Sequence, residues 1–106
     1  MTIADVSRID RRVRREVERR GLFLVPLASE PGMPDYYIFV CTDPNPKDCG
    51  FTRVGQVSTA SGRNHVVYAM DGQRRQGSVS LSQIRGAFPT WEDGIMTVLD
   101  AYDRWQ

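Results

Sequence analysis

Several residue types that carry chemistry are scarce in this chain. Histidine occurs once, as His65, and lysine once, as Lys47; the two cysteines are Cys41 and Cys49. A lone histidine at the start of a strand leaves no nucleophile, base and orienting group to assemble. Structural zinc needs four ligands in closely spaced pairs, and His65 is the only further soft ligand beside the cysteines. In a cytoplasmic setting they are expected to be reduced thiols. No Gly-x-Ser-x-Gly elbow and no dinucleotide fingerprint occurs. Gly50 and Gly55 have the spacing of a phosphate loop, but Gln56 and Val57 stand where Lys and Ser or Thr would clamp the phosphate. The longest apolar run, Leu22 to Ala28, is far short of the ~20 residues of a membrane span. Asp5 and Arg8 precede any apolar stretch, so no secretory signal is expected. These absences imply no cofactor, no metal, no membrane and no enzymatic activity.

What is present is ordinary globular composition: 106 residues, 41% hydrophobic, 25% charged, formal net charge +1. A chain of this length buries about two-thirds of its unfolded surface, enough for one core. A single domain over 1–106 is expected. The small net charge hides blocks. Residues 1–20 carry seven Arg against four carboxylates, and 53–85 five Arg against Asp71. Residues 21–52 and 86–106 are acidic by three each. Thirteen of the fourteen basic residues are Arg, the side chain that grips carboxylate or phosphate bidentately.

Ile3, Val6, Ile9, Val13 and Val17 recur at helical spacing, so a helix is expected over 3–20, capped by Thr2 and stopped by Gly21. Its opposite side gathers Arg8, Arg11, Arg12, Arg15 and Arg19, with Asp10–Arg14 and Glu16–Arg20 as flanking pairs. Leu22–Ala28 contains Pro26 and reads as an edge strand or a bulged one. Tyr36–Thr42, apolar on both faces, reads as an interior one. Phe51–Ser58 and His65–Met70 follow, then an Asp71-Gly72 hairpin turn and a return strand over Gln73–Val79. Ser80 with Gln83 has the form of a capping box, which predicts a short helix ending near Gly86. After Pro89, Thr90 caps a final helix whose apolar face is Trp91, Ile95, Val98, Leu99, Tyr102 and Trp105. The order predicts an α+β fold: an N-terminal helix, a four- to five-stranded, mostly antiparallel sheet, a short helix, and a C-terminal amphipathic helix on the sheet.

Gly32-Met33-Pro34-Asp35 leading into Tyr36–Val40, with Glu16 on the preceding helix, resembles the first half of the PD-(D/E)XK nuclease pattern. The resemblance implies a divalent metal on Asp35. The next strand, Phe51 to Val57, lacks the Glu and Lys that complete such a site. The remaining candidates are surfaces: the ridge Arg8, Arg11, Arg12, Arg15 and Arg19, and a second basic set that includes Arg74 and Arg75 beyond the hairpin turn. The strand-borne aromatics Tyr36, Tyr37, Phe39 and Tyr68 are expected in the core, with base stacking as the other reading. These features predict a small non-enzymatic interaction or inhibitor protein. In kind it is similar to the anti-CRISPR or immunity proteins of phages and mobile elements. Its partner would be a protein or protein–nucleic acid complex, and the chain itself a monomer or homodimer. Direct nucleic-acid binding by the Arg-rich helix is the alternative, and a nuclease-like enzyme the third.

Overall fold

Asp10 decides where the first helix begins. In a computed structural model, which describes residues 6–27, 36–44, 52–59, 64–73 and 80–105, its carboxylate accepts the Arg12 N–H at 2.7 Å and caps α1 (Arg11–Arg19). The continuous helix expected over 3–20 is therefore corrected. Val6–Arg8 forms a separate 3-10 turn, closed by Ile9 N–H on the Val6 carbonyl at 3.0 Å. The spacing Val6, Ile9, Val13, Val17 suits a 3-10 turn followed by a helix as well as one helix, because three-residue steps share a face in both. Thr2 lies outside the described residues. Gly21 ends α1 as expected. Its φ is +69°, its N–H reaches the Glu18 carbonyl at 2.9 Å, and the Leu22 N–H reaches that of Val17 at 3.1 Å. This is a Schellman stop.

The five strands form an antiparallel meander in sequence order: β1 (Phe23–Leu27), β2 (Tyr37–Cys41), β3 (Arg53–Thr59), β4 (His65–Met70) and β5 (Leu81–Ile84). Pro26, which has no N–H to donate, lies on the edge strand β1, and β2 is interior. The register slips by one residue between Val40 and Cys41, which brings Cys41 opposite Arg53. Two expectations fail at β5. Leu81–Ile84 is a strand rather than the opening of a short helix, and it pairs with β4 from Met70↔Leu81 to Val67↔Ile84. An isolated turn of helix is marginal in water, whereas the free edge of β4 offers hydrogen-bond partners to the backbone. Asp71-Gly72 is not the tight turn, since Asp71 N–H still bonds the Ser80 carbonyl at 3.2 Å. The expected return strand falls largely on 74–79, outside the described residues. Asp71 also accepts the Ser82 hydroxyl, and its serine partners, Ser80 foremost, hold its carboxyl below the usual range.

Helix α2 (Trp91–Arg104) begins at Thr90, whose Oγ1 accepts the Asp93 N–H at 3.2 Å. It packs on β3 and β4, and α1 lies against α2 and β1. Val13, Val17 and Leu22 join Ile38, Val40, Val57, Val67, Ile95, Val98 and Leu99 in one buried core. Leu24 and Pro26 share a strand face with Val40 and Ile38. The opposite face has its own small cluster of Val25 and Cys41 with Leu27 and Phe39. The architecture is α+β with the helices on one side. No described helix is long and apolar enough to cross a membrane.

Candidate functional site

Helix α1 is fixed at both ends by α2. Glu92, in the first turn of α2, accepts the Asp10 N–H at 2.9 Å. At the other end Arg20 forks onto Asp103 at 2.7 and 2.8 Å and reaches Glu16 at 2.9 Å. The two helices therefore run side by side in the same direction. The Arg20 side chain is 13% exposed, against 36% for Glu16 and 47% for Asp103. Its guanidinium holds both carboxyls below the usual carboxylate range, chiefly through those hydrogen bonds. Arg14 is also engaged, through Nε on the Ile9 carbonyl at 3.1 Å.

With Val13 and Val17 turned into the core, the 3.6-residue period points Arg11, Arg12, Arg15 and Arg19 away from it. All four are exposed. Arg19 bonds Glu16 at 2.8 Å yet stays 69% exposed. No ion pair among the described residues involves Arg11, Arg12 or Arg15. The expected flanking pair Glu16–Arg20 forms, but Asp10 serves as the cap instead of pairing with Arg14. Arg8 is exposed on the 3-10 turn, not on α1, so it adjoins the ridge rather than continuing it. Arg74 and Arg75 lie outside the described residues, as do Asp35 and Cys49. Cys41 is fully buried.

Beside the ridge, between α1 and β1, is a cavity of about 240 Å³ lined by Val6, Arg14, Val17, Glu18, Leu22, Phe23 and Leu24. Phe23, 41% exposed, is the large apolar side chain most open to solvent among the described residues.

The strand aromatics Tyr37, Phe39 and Tyr68 lie outside the main core, and Phe39 packs against the small cluster of Val25 and Cys41. Antiparallel partners share a face, so the register aligns Val25, Phe39, Gln56, Tyr68 and Gln83 in one row across all five strands, with Tyr37 beside Ser58 in the next. This row is on the face that α1 and α2 leave alone. Tyr37, Phe39 and Tyr68 are half-buried there. The Arg53 guanidinium lies 4.7 Å above the Phe39 ring and donates to Gln56 Oε1 at 3.1 Å. Its Nε is buried without an acceptor among the described residues. The alternation of Gln56 and Ser58 with Gly55 and Val57 marks the polar side of β3. Carried across the pairing, that signal places Tyr37 and Phe39 on the polar side as well.

His65 serves the fold. Its N–H and its Nδ1 both meet the Phe88 carbonyl, at 2.7 and 3.0 Å, and its ring lies edge-on to Trp91 at 4.6 Å. No group of three or more His, Cys, Asp or Glu among the described residues is placed to hold a metal. Comparison with protein-family models, curated proteins and solved structures finds no match to this chain.

Proposed function

We propose that this chain is a small non-enzymatic binding protein that docks on an acidic surface of a macromolecular partner through the arginine ridge of α1. The observation that carries the reading is that Arg11, Arg12 and Arg15 are exposed with no ion pair among the described residues, while Arg14 and Arg20 are engaged within the fold. Binding through Arg11, Arg12 and Arg15 breaks no ion pair among the described residues. Planar guanidinium forks favour bidentate contact with carboxylates or phosphates. The cavity beside the ridge and the exposed Phe23 supply the apolar anchor that an interface of charges needs for affinity.

The test is affinity capture from a lysate of the source organism at physiological salt, with wild type and the triple variant Arg11→Glu/Arg12→Glu/Arg15→Glu compared side by side. Wild type should retain one protein near stoichiometry, and the triple variant should lose it. Retention that nuclease treatment abolishes transfers the ridge to nucleic acid. A partner held equally by both proteins, or no partner at all, refutes the reading.

A further inference from the structure

On the side of the sheet away from the ridge, the row Phe39, Gln56, Tyr68 and Gln83 alternates aromatic rings with amide side chains. Adjacent strands are about 4.8 Å apart, which separates Phe39 from Tyr68 by about 10 Å. Tyr37 is two residues from Phe39 along β2, about 7 Å. Beside these half-buried rings, Val25 and Ser58 are each 7% exposed and Cys41 is fully buried. Within the five strands this face carries Arg53 and no carboxylate. The Arg53 guanidinium is 4.7 Å over the Phe39 ring, and its Nε–H is buried with no acceptor among the described residues. Arg53 Nη1 donates to Gln56 Oε1 at 3.1 Å, and the other Nη N–H groups are donors for a ligand oxygen.

We infer that this face binds single-stranded nucleic acid, with bases stacked on Tyr37, Tyr68 and the Arg53–Phe39 pair and a phosphate or base oxygen received by Arg53. The chemistry selects that occupant. Rings spaced along and across strands match unstacked bases, which a duplex does not present. Gln56 and Gln83 offer both donors and acceptors to base edges, and the Arg53 guanidinium, which has no ion pair among the described residues, suits a polyanion. The inference is independent of the proposed ridge function, because it rests on another face of the molecule.

The experiment is fluorescence anisotropy of labelled oligo(dT) and oligo(U) of about twelve nucleotides, against a duplex of equal length. Wild type should prefer the single strands at least tenfold. Tyr37→Ala/Tyr68→Ala should weaken that binding by about tenfold per ring, Tyr68→Phe should keep it, and Arg53→Gln should reduce it. The triple ridge variant should retain the single-strand preference. Photo-cross-linking of halogenated oligo(U) to wild-type protein supplies a readout that needs no substitution, with adducts expected on β2 and β4. Equal affinity for duplex, binding lost with the ridge rather than the rings, or cross-links confined to α1 each overturn the inference. The oligo(dT) and oligo(U) arms tell DNA from RNA.

Discussion

Gly94 stands where α2 packs closely on β3 and β4. A Cβ built there would be 2.8 and 3.0 Å from the methyls of Val57 and 3.1 Å from a methyl of Val67. In an exposed helix, replacing glycine by alanine gains about 1 kcal/mol. Here the neighbours are β-branched, fully buried and fixed by the sheet, and overpacking of that kind costs about 1–3 kcal/mol. The clash wins, so Gly94→Ala is expected to lower stability by about 1 kcal/mol in urea titration. Gly21→Ala should cost about the same for a different reason: nothing crowds its position, but its φ of +69° strains any side chain. Gain of stability in Gly94→Ala would show that the helix rides higher on the sheet than described. The sequence makes Gly21 legible, because a stop after a helical run is a local signal. Gly94 reads from sequence only as a loss of propensity, since its purpose is a contact with strands far away in the chain. The aromatic side chains were hard to assign for a related reason. β2 is apolar on both faces, and only its register with Gln56 and Ser58 tells which side faces the core.

Among the elements, those with punctuation at their ends were legible: Thr90 before α2, Pro26 in an edge strand, Gly21 after α1. The misread ones had two local solutions. Ser80 to Gln83 matches a capping box, but the open edge of β4 recruits Leu81–Ile84 as a strand. Asp10 was available as a partner for Arg14 or as a cap, and the cap forms. Asp10→Ala should therefore cost about 1 kcal/mol, visible as reduced helical ellipticity and a lower melting temperature. The far end of α1 depends on pH. Glu16 and Asp103 ionise at lower pH in the folded chain than when unfolded, because Arg20 binds their charged forms. Their contribution is thus present above the unfolded carboxylate value, near 4, and is lost as pH falls through the lowered folded values. Arg20→Met should be less stable than wild type at neutral pH, and the gap should close on acidification. A gap that acidification leaves unchanged would mean that Arg20 acts without its carboxylate partners.

At the scale of the whole molecule, the two ends of the chain hold each other. Asp10 meets Glu92 and Arg20 meets Asp103, contacts spanning 82 and 83 residues. The Cα radius of gyration is 12.8 Å, close to the ~13 Å expected of a domain this size. A nine-residue helix such as α1 is too short to persist alone in water, so the arginine ridge exists only while α2 is seated on the sheet. Trp91 and Trp105 lie at the two ends of α2 and pack against the core, which makes their fluorescence a reporter of that seating. Far-UV ellipticity and tryptophan fluorescence should consequently give coincident melting curves in wild type, as one cooperative transition. In Glu92→Ala/Arg20→Met both anchors are gone while Val13, Val17 and the α2 core remain, so ellipticity should begin to fall before the tryptophan signal. Loss of ellipticity ahead of fluorescence already in wild type would mean that α1 is not secured by α2, and the ridge would then lack the rigid backing that lets exposed arginines act together.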